Sequence, residues 1–213
     1  MQELNLLLSQ NAYPGRGIVL GRCKDGNALM AYFIMGRSEN SRNRVFIEKD
    51  GGIVTQAADP AKVTDPSLII YAPVRKIDDY TIVTNGVQTD AIYEALQNGG
   101  SFASALSGCT FEPDAPHYTP RISGLVRQKH YGLSYCLSIL KTSGGNPDTV
   151  QRFFYDYPKP LAVPLDGDID AIGTGIWESL NADNKVSLFV RTITPQGEEQ
   201  TRIYNKYAPV TSV

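Results

Sequence analysis

The spacing of apolar and polar residues predicts a chain built mainly from β-strands. Short runs rich in β-branched and aromatic residues, separated by polar turns, are typical of strands. The runs lie at residues 17–22, 28–35, 45–49, 53–57, 68–75, 80–84, 122–126, 131–142, 185–194 and 200–207. Asp-Gly at residues 25–26 is a hairpin signal, and Pro-Gln-Gly at 195–197 separates the last two runs, so we expect antiparallel pairing of neighbours.

Helical spacing is confined to a few segments. Leucines within residues 4–8 favour a short N-terminal helix, and residues 88–98 carry apolar positions at helical spacing. Ser101 is placed to cap a second helix in the middle of the chain. Residues 166–175 predict a loop and a short strand. Many strands with few, clustered helices indicate an α+β fold with antiparallel strands in the majority.

Length and composition predict one globular domain over residues 1–213. The apolar share of 42% supports a real core, and no linker rich in Pro, Gly and Ser divides the chain. The net charge of −2 does not suit a nucleic-acid partner, and no apolar run approaches the length of a membrane span. The N-terminus lacks a basic segment and a cleavage motif, so we expect a cytoplasmic protein. A homo-oligomer is left open.

Cysteine and histidine usage predicts no metal site. The three cysteines form no CxxC pair, and the two histidines are far apart in the sequence. An odd number of cysteines does not suit a disulfide framework and fits a reducing compartment. We therefore expect neither a metal nor a cofactor.

A polar connector between two predicted strands carries three arginines. Arg37, Arg42 and Arg44 fall within residues 37–44. The guanidinium group is a planar fork of donors that stays charged and fits phosphate or carboxylate. The connector is thus either an anion pocket, most plausibly for a phosphate, or a solvated hairpin tip.

A second candidate lies where the strand at 80–84 meets the following helix. Asn85 and Gly86 form a turn there, and Asp90 lies in the first helical turn. Backbone N–H groups that point outward at such a junction suit an anion or a carbonyl. Asp90 could act as a base or favour the helix terminus, and the whole junction could equally be an ordinary helix cap.

A third candidate is the proline-rich segment at residues 109–120. Glu112 is a candidate acid or base there, Thr119 lies near its end, and Arg121 is a second candidate anion contact. Prolines order a loop in advance, which suits either a catalytic carboxylate or a stiff surface connection. Tyr71 lies in an apolar run, where a buried hydroxyl needs a partner, although core packing also explains it.

Four short motifs follow one another in a specific order and spacing. They are Arg37-Ser38 with Asn43-Arg44, Tyr71 with Val74-Arg75, Thr84-Asn85-Gly86 with Thr89-Asp90, and Glu112 with Thr119-Pro120-Arg121-Ile122. Over about residues 17–127 the chain resembles the archaeal-type IMP cyclohydrolase family, which also occurs in bacteria. The resemblance implies a four-layer αββα fold like that of the N-terminal-nucleophile hydrolases, without self-processing. It also implies closure of a formamido-imidazole-carboxamide ribotide to inosine monophosphate (IMP) with loss of water, the last step of purine synthesis.

The resemblance further implies roles for individual residues. The implied substrate contacts are Arg37, Arg42, Arg44, Asn85, Gly86, Thr119 and Arg121, and the implied acid–base residues are Tyr71, Glu112 and Asp90. This set suits the chemistry, because a phosphate calls for arginines, a developing oxyanion needs a donor, and a carboxamide N–H needs a base. The reaction requires no metal or cofactor, and the expected partner is a small purine ribotide.

The chain departs from the family pattern in two places. The arginine connector is longer than in archaeal members and lacks their proline, so Arg42 and Arg44 compete for one family position. We favour Arg44 because Asn43 precedes it. Gln88 stands where the archaeal pattern has a histidine. Two alternatives therefore stay open: an amidohydrolase with an N-terminal nucleophile, and a purine-nucleotide sensor without catalysis on the same scaffold.

Overall fold

In the computed structural model of the chain, the described residues are 2–63, 65–67, 69–129, 132–159 and 168–209. They contain five α-helices: α1 (Gln2–Ser9), α2 (Glu39–Arg42), α3 (Gln88–Gln97), α4 (Phe102–Leu106) and α5 (Ile169–Ser179). They also contain eleven strands: β1 (Arg16–Arg22), β2 (Ala28–Met35), β3 (Val45–Lys49), β4 (Gly52–Gln56), β5 (Val74–Ile77), β6 (Tyr80–Thr84), β7 (Arg121–Lys129), β8 (Gly132–Ser143), β9 (Asn146–Tyr157), β10 (Lys185–Ile193) and β11 (Glu199–Asn205). None of these helices is long and apolar enough to cross a membrane.

The strands form two sheets. The smaller has the order β1-β2-β10-β11, and the larger runs β3-β4-β5-β6-β7-β8-β9. Every strand pair in the described part of the chain is antiparallel. The α+β fold expected from the sequence, with antiparallel strands in the majority, is confirmed.

Strand β2 shows why the two sheets and the helices form four layers. All eight of its residues are buried, since side chains alternate between two covered faces. Tyr32 and its neighbours on one face pack between the sheets, whereas Phe33 and its neighbours pack under α1 and α5. On the far side of the larger sheet, Ile92 of α3 and Leu106 of α4 form a third core. The order of layers is helix, sheet, sheet, helix, as expected.

The predicted strand at 68–75 is wrong for most of its length, because β5 begins only at Val74. Residue 68 lies outside the described residues. Ile69 and Ile70 instead donate backbone hydrogen bonds to the carbonyl of Pro66, at 3.1 and 2.9 Å, which closes a turn. Pro73 has no N–H to give to a ladder. Most of the apolar run is therefore a turn with two prolines near its ends, in which Ile69 and Tyr71 are buried and Ile70 is exposed.

The predicted loop and strand at 166–175 are also wrong. Residues 166 and 167 lie outside the described part, and α5 begins at Ile169. Asp168 caps it by accepting a hydrogen bond from the N–H of Ala171 at 2.8 Å. Ile169, Ile172 and Ile176 are buried at helical spacing. Tertiary packing thus overrides the low helix propensity of two glycines.

The structure adds one long strand that the sequence pattern did not predict. The glycines at 144 and 145 form a hairpin turn between β8 and β9 rather than ending the sheet. Strand β9 is exposed along most of its length, so it lacks the buried, β-branched pattern that identified the other strands.

Candidate active site

A cavity of about 620 Å³ lies at one end of the space between the two sheets. This volume lies within the usual range for small-molecule sites. Arg16, Arg37, Arg44, Asn85 and Thr119 all contribute to its wall. Four of these five come from the three segments that the sequence singled out, which lie far apart along the chain.

Arg44 is the most unusual side chain in the wall. It is 1% exposed, yet only two of its guanidinium nitrogens have protein partners. Nε donates to the carbonyl of Ser41 at 2.8 Å and Nη2 to that of Met35 at 3.4 Å, whereas Nη1 has no partner among the described residues. A buried donor without an acceptor is costly, so this nitrogen is suited to a ligand oxygen.

The short helix α2 separates Arg42 from Arg44. Arg42 donates to the carbonyl of Gly36 at 2.8 Å and to the side chain of Asn184 at 3.1 Å. It lines a separate hollow of about 480 Å³ together with Lys62. The structure therefore directs Arg44, and not Arg42, into the cavity.

Arg37 and Tyr13 form the outer part of the cavity wall. Arg37 is exposed, and its guanidinium lies 4.3 Å from the centre of the Tyr13 ring. This cation–π contact orients the charge while leaving it accessible to a ligand.

Glu112 is held beside the cavity by an arginine that the sequence did not identify. Its carboxylate, 3% exposed, accepts a hydrogen bond from Nη1 of Arg16, and the same nitrogen donates to the carbonyl of Asn85 at 3.2 Å. Burial by itself lowers the pKa of Arg16. The electrostatic effects of Tyr71, Tyr32 and Glu112, together with the hydrogen bond to Glu112, outweigh burial, and the pKa of Arg16 is raised. Arg16 thus stays charged and fixes the position of Glu112.

The loop that carries Glu112 is closed by its own hydrogen bonds. The N–H of Glu112 donates to the carbonyl of Thr119 at 2.9 Å. Thr119 donates to the carboxylate of Asp114 through its N–H, at 2.7 Å, and through its hydroxyl. The hydroxyl of Thr119 is therefore used within the loop, although the residue lines the cavity.

Tyr71 is paired with a second buried tyrosine from the opposite sheet. The hydroxyls of Tyr71 and Tyr32 are 2.7 Å apart, and the Tyr32 ring stacks on Phe46 with centroids 5.6 Å apart. The backbone of Tyr71 is fixed to β4, because its N–H donates to the hydroxyl of Thr55 at 2.7 Å. The pKa of Tyr32 is raised well above its ordinary value, first by burial and then by Tyr71. Tyr32 is therefore a neutral hydroxyl near pH 7.

The electrostatics of Arg44 show that these groups form one cluster. Burial lowers the pKa of Arg44, and the positive charge of Arg16 adds to that effect. Tyr71, Tyr32 and Glu112 act on it in the opposite direction. Groups that perturb one another in this way lie close together, which is typical of functional sites.

Asn85 and Gln88 brace the end of β6 against the start of β7. The Asn85 amide donates to the carbonyl of Pro120 at 2.9 Å, and its oxygen accepts from the N–H of Ile122 at 2.9 Å. Gln88 also donates to that oxygen, at 3.0 Å, and accepts from Nη1 of Arg121 at 2.8 Å. Gln88, the departure from the family pattern, is thus a buried bridge between Asn85 and Arg121.

Gly86 leaves the space that Arg121 needs. A Cβ atom at this position would lie 1.8 Å from Nη1 of Arg121. The same nitrogen lies 3.9 Å from the carboxylate of Glu112. Arg16 and Arg121 therefore place two guanidinium groups beside the one carboxylate of Glu112, and Arg44 lines the same cavity as Arg16 and interacts electrostatically with Glu112. This surplus of positive charge suits an anionic ligand.

Asp90 differs from the other predicted acid–base residues because it is exposed and pairs with a surface arginine. Its side chain is 57% exposed and pairs with Arg75 at 2.7 Å. Arg75 in turn lies 3.5 Å from the centre of the Tyr93 ring. Asp90 does not line the cavity. Tyr71, Gly86, Glu112 and Arg121 are also outside its lining, although Glu112 is bonded to the wall residue Arg16 whereas Asp90 is bonded to Arg75.

Sequence reasoning missed Arg16 and Tyr32. Arg16 directly follows a Pro-Gly break and belongs to none of the motifs. Tyr32 lies in an unbroken apolar run, where its ring alone explains its presence. The one available signal for Tyr32 was that a buried hydroxyl needs a hydrogen-bond partner. The sequence does not show that this partner is Tyr71.

Comparison with known proteins places these observations in a family context. The model of a family described as IMP cyclohydrolase-like protein matches residues 13–198. A protein of Methanopyrus kandleri named IMP cyclohydrolase is 33% identical over 114 residues, which is 52% of this chain and 57% of that protein. One of Natronomonas pharaonis with the same name is 30% identical over 160 residues, 72% of this chain and 80% of its own length. One of Methanocaldococcus jannaschii is 29% identical over 125 residues, 58% of this chain and 61% of its own length. The chain thus matches little more than half of some of these relatives.

Proposed function

The chain belongs to the IMP cyclohydrolase-like family, and from this premise we propose that it closes the ring of 5-formamidoimidazole-4-carboxamide ribotide to give IMP and water. One observation carries the proposal. The buried Nη1 of Arg44 has no partner among the described residues, and it belongs to the same cluster as Tyr71 and Glu112. The donor lies in the cavity wall, and the carboxylate of Glu112 is bonded to Arg16, which also lines the wall. A donor, a hydroxyl and a carboxylate are the groups that this cyclisation needs.

The reaction joins two groups of one molecule. The carboxamide nitrogen attacks the formyl carbon and loses a proton, while the formyl oxygen becomes a hydroxyl on a tetrahedral carbon. The formamide nitrogen then gives up its proton, the hydroxyl leaves with a proton as water, and the C=N bond of the new ring forms between that nitrogen and the former formyl carbon. Because the step is intramolecular, holding the two groups in one conformer removes much of the barrier.

Three side chains take the chemical roles in this proposal. Nη1 of Arg44 and the hydroxyl of Tyr71 donate to the formyl oxygen as negative charge develops on it. Glu112 accepts the carboxamide proton and passes it to the formyl oxygen, and in the second step it carries the formamide N–H proton to the leaving hydroxyl. Tyr32 positions Tyr71 through the 2.7 Å contact between their hydroxyls, and Arg16 positions Glu112 through the ion pair.

The remaining wall binds the ribotide. Arg37, exposed beside Tyr13, is the proposed phosphate contact. Asn85 and Thr119 shape the wall, Gly86 leaves space for Arg121, and Arg121 adds positive charge beside Glu112. The substrate in this proposal is a small purine ribotide.

The direct test is to incubate the purified protein with the formamido ribotide and measure IMP by chromatography. We expect turnover by the parent protein. We expect Glu112→Gln to lower kcat by about 10²–10⁴-fold with KM little changed, because the amide keeps the shape of the side chain but cannot accept the proton. Asp90→Asn is the matched control, since it removes an exposed carboxylate outside the cavity.

Two outcomes would contradict the proposal. Absence of IMP formation at micromolar concentrations of folded protein would rule out the activity. Loss of turnover in Asp90→Asn with retention in Glu112→Gln would move the acid–base role to the residue that the structure leaves outside the cavity.

A further inference from the structure

Strand β9 is a long edge strand with an aromatic surface. It has twelve residues, and within residues 151–157 every side chain is exposed. Four of those seven are aromatic: Phe153 (36% exposed), Phe154 (38%), Tyr155 (43%) and Tyr157 (40%). Among the residues that the structure describes, no strand pairs with the outer side of β9. Exposed edges of this kind are usually shortened, charged or covered in proteins that stay monomeric.

The opposite edge of the same sheet shows how this protein closes an edge. Strand β3 has only five residues, and Asn205 of β11 covers it. The Asn205 side chain accepts from the N–H of Phe46 at 2.9 Å and donates to its carbonyl at 3.0 Å. Glu48 and Lys49 are exposed at the end of β3. Strand β9 is longer than β3, and among the described residues no side chain is seen to bond its outer edge as Asn205 bonds β3.

The inner face beside β9 is apolar as well. Leu137 of β8 pairs with Tyr155, and Tyr157 lies two residues further along the same face. Both tyrosines line a hollow of about 270 Å³ that continues the apolar surface beyond the edge of the smaller sheet. Ile122 and Ile139 are shared by this hollow and the candidate active site. An apolar hollow beside an open edge is typical of an interaction surface.

We propose that this surface binds a second copy of the chain, through antiparallel pairing of β9 with its equivalent about a twofold axis at Phe154. The charges favour this occupant. Arg152 and Asp156 are placed symmetrically about Phe154, two residues on either side. In antiparallel pairing centred on Phe154, Arg152 therefore lies opposite the partner's Asp156, and Asp156 lies opposite the partner's Arg152.

The aromatic residues fit the same register. Phe154 faces its own equivalent, and Phe153 lies opposite the partner's Tyr155 on the other face of the joined sheet. Aromatic and opposite-charge cross-strand pairs are the stabilising units of antiparallel sheets. A sequence that is complementary to itself in both charge and aromatic placement is what a twofold interface requires, whereas an unrelated partner would not require that symmetry.

The first test measures mass in solution by light scattering coupled to size-exclusion chromatography. We expect the parent protein at tens of micromolar to have twice the chain mass of 23.3 kDa. Arg152→Asp and Asp156→Arg should each give a monomer, because like charges then face each other. The double variant should return to the dimer, since the charges are again complementary. Arg22→Asp, the same charge change at an exposed position of β1, should leave the dimer intact.

The double variant separates pairing from other effects of the substitution. Arg152 also donates to the carbonyls of Leu106 at 3.3 Å and Cys109 at 3.0 Å. Both Arg152→Asp and the double variant lose these contacts, so recovery of the dimer can come only from the restored charge pair. A monomeric parent protein, or a double variant as monomeric as the single ones, would overturn the proposal.

A second test fixes the register. Phe154→Cys places two thiols opposite each other across the axis, so we expect a disulfide-linked dimer on non-reducing gels. Gln151→Cys, on the same exposed strand but three residues from the axis, should stay unlinked. Equal linking of both variants, or of neither, would contradict a twofold axis at Phe154.

Discussion

Arg44 offers the most direct test at the scale of single residues. Arg44→Lys keeps the positive charge but cannot reproduce three separate nitrogens, two of which are bound to the carbonyls of Ser41 and Met35. We expect kcat/KM to fall by about 10²–10³-fold, as for the loss of one donor to a developing oxyanion. Steady-state kinetics on the formamido ribotide measures this change, with circular dichroism to confirm folding.

The control for that substitution is on the same connector. Arg42→Lys alters a side chain that is held by Gly36 and Asn184 outside the cavity. Its kcat/KM should stay within about twofold of the parent, because surface changes away from a site are usually small. Equal losses in the two variants would mean that damage to α2, rather than loss of the Nη1 donor, explains the effect.

The sequence indicated several residues of the site but not their partners. The sequence singled out three of them: Arg44 on a polar connector, Glu112 in a proline-rich loop and Tyr71 in an apolar run, where a buried hydroxyl needs a hydrogen-bond partner. The structure shows two of the partners: Arg16 forms an ion pair with Glu112, and the hydroxyl of Tyr32 contacts that of Tyr71. Both partners come from the smaller sheet, whose stacking on the larger one no local pattern records. Contacts between side chains far apart in the sequence are therefore the part of the site that the sequence alone did not predict.

At the scale of elements, helix α5 shows how packing can contradict local propensity. A loop and a short strand were predicted there, whereas the structure has a helix that contains glycines at 173 and 175, although glycine is a poor helix former. Gly173 lies against the ring of Tyr204, where an added Cβ would be 2.6 Å from ring atoms. The prediction of strands succeeded where an apolar run marks a buried strand, as in β2, and failed where the strand is exposed along most of its length, as in β9.

The two glycines of α5 provide a matched pair for stability. Gly173→Ala should lower the free energy of unfolding by about 1–3 kcal/mol, because the aromatic ring has to move. Gly175→Ala meets only the terminal amide of Asn5, at 2.9 Å, which can rotate away. It should be neutral or stabilise the protein by up to about 1 kcal/mol through helix propensity.

Urea unfolding followed by circular dichroism measures both variants. The expected result is a lower midpoint for Gly173→Ala alone. If Gly173→Ala were as stable as Gly175→Ala, the contact with Tyr204 would not explain why a glycine occupies this position.

At the scale of the whole molecule, the candidate site joins the two sheets. Arg16 and Tyr32 come from the smaller sheet, whereas Glu112 and Arg121 come from the larger sheet and the loop that leads into it. Arg16 and Arg121 share the carboxylate of Glu112 there, and Arg44 lines the same cavity as Arg16, so the free protein holds like charges close together. Since the net charge of the chain is −2, this positive charge is local. An anion bound between the sheets would relieve the repulsion and link the two halves of the sandwich.

Ligand-induced stabilisation tests this arrangement without requiring turnover. IMP at about 100 times its dissociation constant should add about 2.7 kcal/mol of stability, which corresponds to roughly 5–10 °C in Tm for a chain of this size. Inosine, which lacks the phosphate, should raise Tm less, and the IMP effect should shrink as salt screens the charges. Arg37→Ala should reduce the difference between IMP and inosine, because Arg37 is the proposed phosphate contact. If IMP and inosine raised Tm equally in the parent protein, the positive cluster would not be serving a phosphate, and the assignment of Arg37 would have to be abandoned.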